Sequence, residues 1–261
     1  MRQRVVTALL LAIPALLALA LRAPWPLYFL GLLASAVGGY EADRLLKFRF
    51  PAIGVLSALL FGILAVPLLA ESKPDYKVFS LFAVAMTLFG IAAAIPIRMP
   101  FRGVINVFAS LWLAWPLMTI LALHRYAEGS PWCLSPALMA LVPVWAGDIA
   151  AIFAGKAFGR RPLAPKISPK KTVEGSLANL FAAILAAFVL GRLLHLPDAR
   201  SLGAGVAVGI LGQAGDLFES WLKRRVGVKD SGTLLPGHGG VLDRIDSVLF
   251  AAPAVALILL G

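Results

Sequence analysis

Apolar runs of membrane-spanning length alternate with short polar segments along almost the whole chain. A helix that crosses a bilayer needs about 20 predominantly apolar residues, and somewhat fewer where it is short or buried in protein. Nine runs approach this length, namely Val5–Leu21, Leu27–Tyr40, Ala52–Ala70, Val78–Ile97, Val104–Leu123, Leu134–Phe153, Leu177–Leu194, Leu202–Leu222 and Ser247–Leu260. The pattern predicts an all-α, polytopic membrane bundle of about nine helices with a polar cavity facing the cytoplasm, in which the second and the last span are short.

The first run has a second interpretation. It follows Arg2 and Arg4 and ends in small residues, Ala18-Leu19-Ala20, as a cleavable signal peptide does. Because eight further runs follow, we favour a first transmembrane helix.

The basic residues are distributed unevenly between the two sides that nine spans create. With the N-terminus inside, the inner segments hold eighteen of the 24 Lys and Arg residues and the outer loops hold five, and Arg192 lies near the outer end of the seventh run. Lys and Arg in short loops favour the cytoplasmic side. The bias predicts a cytoplasmic N-terminus, and it places the two long basic loops, 154–173 and 223–246, on the cytoplasmic face.

The composition is typical of a membrane protein and not of a nucleic-acid-binding one. Hydrophobic residues make up 60% of the chain and charged residues 14%, against about 25% charged residues in a soluble domain. The net charge of +11 lies in short loops between apolar runs, as membrane topology requires, so we expect membrane lipids and no nucleic acid as partners. We divide the chain into scaffold spans, 1–140, and a C-terminal part, 141–261, whose spans and loops carry the catalytic site.

Carboxylates lie inside two of the apolar runs. Asp148 is in the sixth run, and Asp216 and Glu219 are in the eighth. An ionisable residue at membrane depth is costly and therefore indicates function. Asp216 and Glu219 are three residues apart on one helix face, and Asp243 and Asp246 repeat that spacing. Because Mg²⁺ prefers carboxylate oxygen, the two pairs predict a divalent cation site, although a salt-bridge network with neighbouring Lys and Arg residues is an alternative.

The segment 220–246 between these carboxylates has the composition of a phosphate-binding loop. Gly237, Gly239 and Gly240 surround His238, and glycine lets backbone N–H groups approach an anion closely. Positive charges to balance phosphate come from Lys223, Arg224, Lys229 and Arg244. Arginine holds phosphate oxygens in pairs, whereas lysine acts as a point charge. A glycine string alone is weak evidence for phosphate binding. The Lys-Asp pair before it and the Asp-x-x-Asp motif after it make the evidence specific.

A second basic segment, with the sequence SPKKT at 168–172, follows the sixth run. Lys170 and Lys171 are candidates for phosphate binding. Ser168 or Thr172 is a candidate cap for the next helix, and Glu174 would complete its first turn. A surface loop that touches anionic lipid headgroups is the alternative interpretation.

Together these motifs resemble the signature of the CDP-diacylglycerol synthases, also called phosphatidate cytidylyltransferases. The main signature comprises Ser220, Lys223-Arg224, Lys229-Asp230, Gly232, Pro236, His238-Gly239-Gly240, Asp243-Arg244 and Asp246. Two further similar blocks comprise Asp148, Gly155, Phe158-Gly159, Pro165, Ser168 to Thr172 and Glu174-Gly175, and then Gly215-Asp216 with Glu219-Ser220. Val173 departs from the pattern, which has an aromatic residue there, but it carries no titratable group. The specific similarity begins at Asp148, and the earlier spans are similar only in being apolar.

The resemblance implies that CTP and phosphatidate are converted to CDP-diacylglycerol and pyrophosphate with a divalent metal, usually Mg²⁺. It also implies a homodimer, which we expect in the bacterial inner membrane. Together with the charge pattern it assigns catalytic roles to Asp216, Lys223, Arg224, Lys229, His238, Asp243, Arg244 and Asp246. Substrate binding is assigned to Ser168, Lys170, Lys171, Thr172, Ser220, Gly237, Gly239 and Gly240. The expected metal ligands are Asp216, Asp243 and Asp246, with Asp148 as a candidate for holding a second cation.

Two other functions fit parts of the pattern. A CTP-using membrane enzyme that acts on a prenol or an ether lipid would keep the same basic and acidic residues. A cation-coupled transporter would use Asp148 and Asp216 as a cation path. Transporters of that kind have paired halves with broken helices, and the sequence contains no such repeat.

Overall fold

A computed structural model describes residues 13–21, 23–46, 52–69, 102–126, 134–232, 234 and 239–261. These residues form eight helices and one antiparallel hairpin. In chain order the elements are α1 (13–20), α2 (Trp25–Leu45), α3 (Ala52–Leu69), α4 (Arg102–Arg125), α5 (Leu138–Phe158), β1 (Pro162–Ala164), β2 (Ser168–Thr172), α6 (Val173–Leu193), α7 (Asp198–Arg225) and α8 (Leu242–Leu260). The predicted helical class is confirmed, and the hairpin is an addition to it.

Four helices among the described residues are long and apolar enough to cross a membrane. They are Asn106–Arg125 within α4, and α5, α6 and α7. Ala52–Val66 of α3 is apolar but shorter. The chain is therefore a helical membrane protein, as predicted. The predicted span 78–97 lies outside the described residues, so the total of nine spans stays a prediction.

Several helices continue past the apolar runs that predicted them. Helix α2 extends beyond Tyr40 to Leu45, and α8 begins at Leu242, before the predicted start at Ser247. Hydropathy locates the part of a helix that suits lipid, whereas the helix itself continues as long as its terminal backbone groups find partners. The extensions add polar residues to both helices.

The last helix, one of the two shortest predicted spans, lies at the centre of the bundle. Helix α8 contacts α2, α4, α5 and α7, and its residues from Asp246 to Pro253 are buried. On the α7 side Gly215 lies so close to the Asp246 carbonyl and the Phe250 ring that a Cβ would overlap both. Glycine is therefore required at this crossing. The division of the chain at residue 140 stays a prediction, and α8 contacts helices on both sides of it.

Helix α7 contains a π-helical segment, Val208–Gly212, directly before the turn that carries Asp216. A π segment disturbs the regular backbone hydrogen bonding and changes which side chains share a face. The Gln213 side chain stabilises it, because its Nε2 donates to the carbonyls of Gly209 at 2.5 Å and Ser176 at 3.2 Å. The Ser176 hydroxyl donates in return to Gln213 Oε1. These bonds fix α7 to α6 beside the candidate site.

Helices α5 and α6 pack along each other and expose large apolar side chains on their other faces. Phe153 in α5 and Phe181 and Leu185 in α6 are all more than 60% exposed. In a soluble protein such a surface would mark an interface. On spans of this length, the apolar surface suits contact with the acyl chains of a bilayer. Polar residues are then favoured at the ends and in the interior of the bundle.

Candidate active site

The polar segments predicted to form a site come together in the structure. Three side-chain contacts join them: Lys171 of β2 binds Asp216 of α7, Arg224 Nε donates to the Ile167 carbonyl at 3.3 Å, and Lys223 binds Asp243 of α8. The hairpin, the second half of α7 and the first turn of α8 therefore form one continuous polar region.

The hairpin is fixed to the start of α6. Thr172 is the N-cap of this helix, and its Oγ1 accepts a hydrogen bond from the Gly175 N–H at 3.1 Å. Of the two predicted caps, the structure has Thr172 and not Ser168. The Glu174 carboxylate accepts the backbone N–H groups of Arg160 at 3.1 Å and Arg161 at 3.4 Å, so it closes the loop before β1.

Lys171 and Asp216 form a partly exposed ion pair between the hairpin and α7. Lys171 Nζ lies 2.5 Å from Asp216 Oδ2, and the two side chains are 28% and 33% exposed. The Ser220 hydroxyl donates to the other Asp216 oxygen at 3.4 Å. The neighbouring Lys170 side chain is exposed.

Lys223 is buried between two carboxylates. Its ammonium lies 2.5 Å from Glu219 Oε2, one turn earlier on α7, and 2.5 Å from Asp243 Oδ1 on α8. The three side chains are at most 10% exposed. Removing charges from water is costly unless they are paired and hydrogen-bonded, so this cluster depends on all three members.

Asp243 also binds the backbone of the glycine-containing loop. Its Oδ2 accepts the N–H groups of Gly240 at 2.7 Å and Ser231 at 3.0 Å. Gly239 has a φ of +81°, and a Cβ there would overlap the Asp243 carboxylate. The glycine at 239 is thus required by a left-handed backbone and by an internal carboxylate.

Asp148, Asp216 and Asp246 come from three helices, and Asp216 lies close enough to each of the other two to interact with it electrostatically. Asp246 is 8% exposed, and its Oδ1 accepts the Ser247 N–H at 2.7 Å. Asp148 is exposed and accepts a hydrogen bond from Asn179 Nδ2 at 3.2 Å. Lys171 is a nearby cation for all three carboxylates. Carboxyl groups placed this close together favour a bound cation, because each disfavours the ionised form of its neighbour.

A family model described as the cytidylyltransferase family matches residues 2–260. The chain belongs to the cytidylyltransferase family. It is 33% identical to a phosphatidate cytidylyltransferase of Haemophilus influenzae over 97% of this chain and 96% of that protein. It is 46% identical to a phosphatidate cytidylyltransferase of Synechocystis sp. over 50% of this chain and 45% of that protein. It is 40% identical to the uncharacterized protein YnbB of Escherichia coli over 58% of this chain and 53% of that protein.

These similarities confirm the resemblance predicted from the motifs. The alignments with the Synechocystis and Escherichia coli proteins span about half of each relative, whereas the alignment with the Haemophilus protein spans almost all of it. Membership of the cytidylyltransferase family also confirms the prediction of a CTP-dependent nucleotidyltransferase.

The resemblance implies Mg²⁺ in a cytidylyltransferase of this kind, and the donor chemistry of the site fits it. Among the residues that the structure describes, which exclude His238, no three His, Cys, Asp or Glu side chains are arranged to hold a metal ion. Mg²⁺, however, is commonly held by one or two carboxylates together with substrate phosphates. Asp216 and Asp246 supply such oxygens. The oxygens of Asp243 already accept backbone N–H groups and the Lys223 ammonium.

The remaining predicted residues of the cytidylyltransferase site lie at its rim or outside the described residues. The basic side chains at the rim are exposed, and they are those of Lys170, Arg224, Lys229 and Arg244. Arg224 also donates to the Val228 carbonyl at 3.1 Å, which orders the end of α7. Gly237 and His238 lie outside the described residues, so their roles stay predictions.

Sequence reasoning assigned no role to three residues that shape this site, and it placed a fourth, Glu219, in a cation-binding pair, whereas in the structure Glu219 binds Lys223. The three are Glu41, Asn179 and Gln213. Glu219 was visible as a carboxylate inside an apolar run, and Glu41 lies directly beyond one. An amide on an otherwise apolar helix, as at Asn179, was a weaker signal. Asn179, Gln213 and Glu41 each bind a residue more than 30 positions away in the sequence, which is why spacing alone did not reveal them.

Proposed function

We propose that this cytidylyltransferase transfers CMP from CTP to phosphatidate, giving CDP-diacylglycerol and pyrophosphate. The observation that carries the proposal is the similarity to the Haemophilus phosphatidate cytidylyltransferase along 97% of the chain. The polar region agrees with it, since it combines clustered carboxylates with Lys and Arg on apolar helices. Such a site suits two polyanionic substrates, one of which is a lipid.

The chemistry places few demands on acid–base catalysis. The phosphate of phosphatidate is a monoester whose second pKa is about 6, so it is largely ionised at neutral pH. One of its oxygens attacks the α-phosphorus of CTP, and the bond to the β-phosphate breaks to release pyrophosphate. The protein must therefore orient an in-line attack and stabilise negative charge, and no strong general base is needed.

We assign phosphate binding to the partly exposed and exposed cations. Lys171 can exchange its contact with Asp216 for a phosphate oxygen, because both side chains are accessible. Arg224, Lys229 and Arg244 are exposed at the rim of the same region. Arginine suits paired phosphate oxygens and lysine a single one. Buried Lys223 is assigned to holding the site together.

We assign Mg²⁺ to Asp216 and Asp246, completed by phosphate oxygens, with Asp243 and Asp148 as further candidate ligands. When bound, the cation would offset the charge that develops on the phosphates. The proximity of Asp216 and Asp246 on facing helices supports this assignment.

We also propose a homodimer in the bacterial inner membrane with the site and the N-terminus on the cytoplasmic side. The support is the family resemblance and the excess of Lys and Arg on one side of the predicted spans. CTP is available on that side.

The experiment is a reaction of the purified protein with CTP, phosphatidate and Mg²⁺, with products identified by mass. We expect CDP-diacylglycerol and pyrophosphate in equal amounts. Asp246→Asn and Asp216→Asn should abolish most of the turnover. Asp198→Asn is the matched control, because Asp198 lies at the start of α7 in an exposed pair with Arg192.

Two other results would contradict the proposal. Release of CDP with a phosphorylated lipid would identify a CTP-dependent kinase. Cation flux into liposomes without CTP turnover would identify a transporter. Near-normal turnover and Mg²⁺ dependence in both site variants would refute the metal assignment alone.

A further inference from the structure

A carboxylate from the N-terminal part of the chain is buried inside the signature loop. Glu41 lies near the end of α2 and is 3% exposed. It contacts residues 190 to 201 positions later in the sequence. The spans before residue 140 were predicted to be scaffold, so this contact links them directly to the polar region.

Three donors converge on the Glu41 carboxylate. Its Oε1 accepts the Val241 N–H at 3.0 Å, and its Oε2 accepts the Leu242 N–H at 2.8 Å. The Ser231 hydroxyl donates to Oε2 at 3.2 Å. Hydrogen bonds to a charged acceptor are stronger than neutral ones, and burial strengthens them further.

Glu41 thereby caps a helix to which it does not belong. Helix α8 begins at Leu242, and its own N-cap residue, Val241, has no side-chain cap. The first N–H groups of a helix need acceptors, and the helix dipole favours a negative charge at this end. A carboxylate on α2 supplies both, so the position of the α8 N-terminus depends on α2.

Two signature glycines are explained by the same carboxylate. A Cβ at Gly232 or at Gly240 would overlap the Glu41 side chain. Gly240 was predicted to let the backbone approach a substrate anion, and Gly232 was noted as part of the signature. At both positions the anion that the backbone approaches is Glu41, which belongs to the protein.

The loop is consequently held between two internal carboxylates. Glu41 binds its Val241 and Leu242 N–H groups, and Asp243 binds those of Ser231 and Gly240. Asp243 is in turn paired with Lys223 of α7. A chain of contacts therefore runs from α2 through the loop to α7, where Asp216 lies.

We propose that Glu41 is a positioning residue for cytidylyl transfer, which sets the place of the 239–242 segment and of the first turn of α8. Arg244 and Asp246 lie on that turn and the next, so a displaced loop would misplace a phosphate-binding cation and a metal ligand together. The inference rests on the proposed function for its kinetic part. Its structural part, the locking of the loop by Glu41, is independent of which reaction occurs.

The test compares Glu41→Gln with Asp43→Asn. Asp43 is a matched control, because it is a 2% exposed carboxylate on the same helix that also caps another helix, accepting the Ile53 N–H at 3.1 Å and the Gly54 N–H at 3.0 Å of α3. Each substitution replaces one acceptor oxygen with an NH₂ donor, which leaves a backbone N–H opposite another donor. The two variants thus each lose one acceptor oxygen at the start of a helix, Glu41→Gln at α8 and Asp43→Asn at α3.

Hydrogen–deuterium exchange of the purified variants gives a readout without substrate. We expect Glu41→Gln to speed exchange about tenfold or more at the Val241 and Leu242 amides in the peptide covering 231–242, because these two amides lose a charged acceptor. Asp43→Asn should leave that peptide unchanged and speed exchange at the start of α3. Unchanged exchange at 231–242 in Glu41→Gln would overturn the proposal, whatever reaction the protein catalyses.

Steady-state kinetics then test positioning against simple stability. We expect Glu41→Gln to lower kcat about 10- to 100-fold with little change in KM for CTP, since small misplacements of reacting groups have effects of this size. Asp43→Asn should retain near-normal kcat at a temperature where both variants are folded. Equal losses of kcat in the two variants would overturn the positioning role. If the wild-type protein forms no CDP-diacylglycerol, the proposed function fails and the exchange result still decides whether Glu41 holds the loop.

A double-mutant cycle checks the contact itself. Gly232→Ala should lower activity because its methyl group overlaps Glu41, and it should cost less in a Glu41→Ala background, where space is open. Fully additive effects on turnover and on exchange at 231–242 would show that Gly232 and Glu41 do not interact.

Discussion

Lys171 and Lys223 place their ammonium groups at the same distance, 2.5 Å, from carboxylate oxygens, but in different surroundings. Lys171 contacts one carboxylate, that of Asp216, and the two side chains are 28% and 33% exposed. Lys223 contacts Glu219 and Asp243, whose side chains are 0% and 6% exposed. One cation joins a hairpin to the helix bundle, and the other joins two helices inside it.

The difference in burial separates the roles of two residues that look alike in the sequence. An exposed pair is partly screened by water, so either partner can leave for a substrate phosphate at little cost. A buried lysine between two carboxylates cannot leave without exposing like charges to each other. We therefore expect Lys171 to bind substrate and Lys223 to maintain the structure of the site.

The largest expected effect on stability comes from Lys223→Met. This change leaves Glu219 and Asp243 buried without their cation, and breaking a buried ion pair typically costs about 3–5 kcal/mol. Denaturant or thermal unfolding in detergent micelles measures the loss. Lys171→Met is the control in the same assay. A loss below about 1 kcal/mol for Lys223→Met would mean that burial does not distinguish the two lysines.

A smaller effect on stability is expected at Thr172, the last residue of β2. Thr172 caps α6, and removing an N-cap side chain costs about 1 kcal/mol. We expect Thr172→Ala to lose about this much stability in unfolding measurements and to lower turnover, since Lys171 is the preceding residue. Thr172→Ser keeps the capping oxygen and should behave almost like the wild type. Equal losses in both variants would show that the hydroxyl is not the stabilising group.

The sequence indicated which charged segments form the site, but not which lysine binds which carboxylate. The carboxylates at membrane depth, the basic segment at 168–172 and the signature loop all stand out by composition. Lys171 and Asp216 are 45 residues apart, and their contact depends on the hairpin. That hairpin was not predicted, because its strands are only three and five residues long and contain proline and lysine. Spacing could place Asp216 and Glu219 on one helix face, yet they bind different lysines in the structure.

The fold was likewise predictable in its elements but not in how they pack. Apolar runs located the described helices and the membrane class, because lipid exposure selects for them directly. The central position of α8 was not predictable from hydropathy, since a buried helix and a lipid-facing helix are both apolar. Glu41 was missed for a related reason: the helix continues beyond the apolar run, and nothing local indicates that a carboxylate there caps a helix 200 residues away.

The smallest expected change in stability comes from Lys171→Met. This variant tests whether Lys171, unlike Lys223, binds substrate without stabilising the protein. A partly exposed ion pair contributes less than about 1 kcal/mol, so unfolding should be nearly unchanged. Activity should still fall, with KM for CTP or phosphatidate raised about tenfold, because a lost charged hydrogen bond to phosphate is worth roughly that factor. Lys166→Met, which alters an exposed lysine in the turn of the same hairpin, is the matched control. If Lys171→Met destabilised the protein as much as Lys223→Met while leaving KM unchanged, Lys171 would be a structural residue too, and the substrate contact would have to come from the exposed arginines.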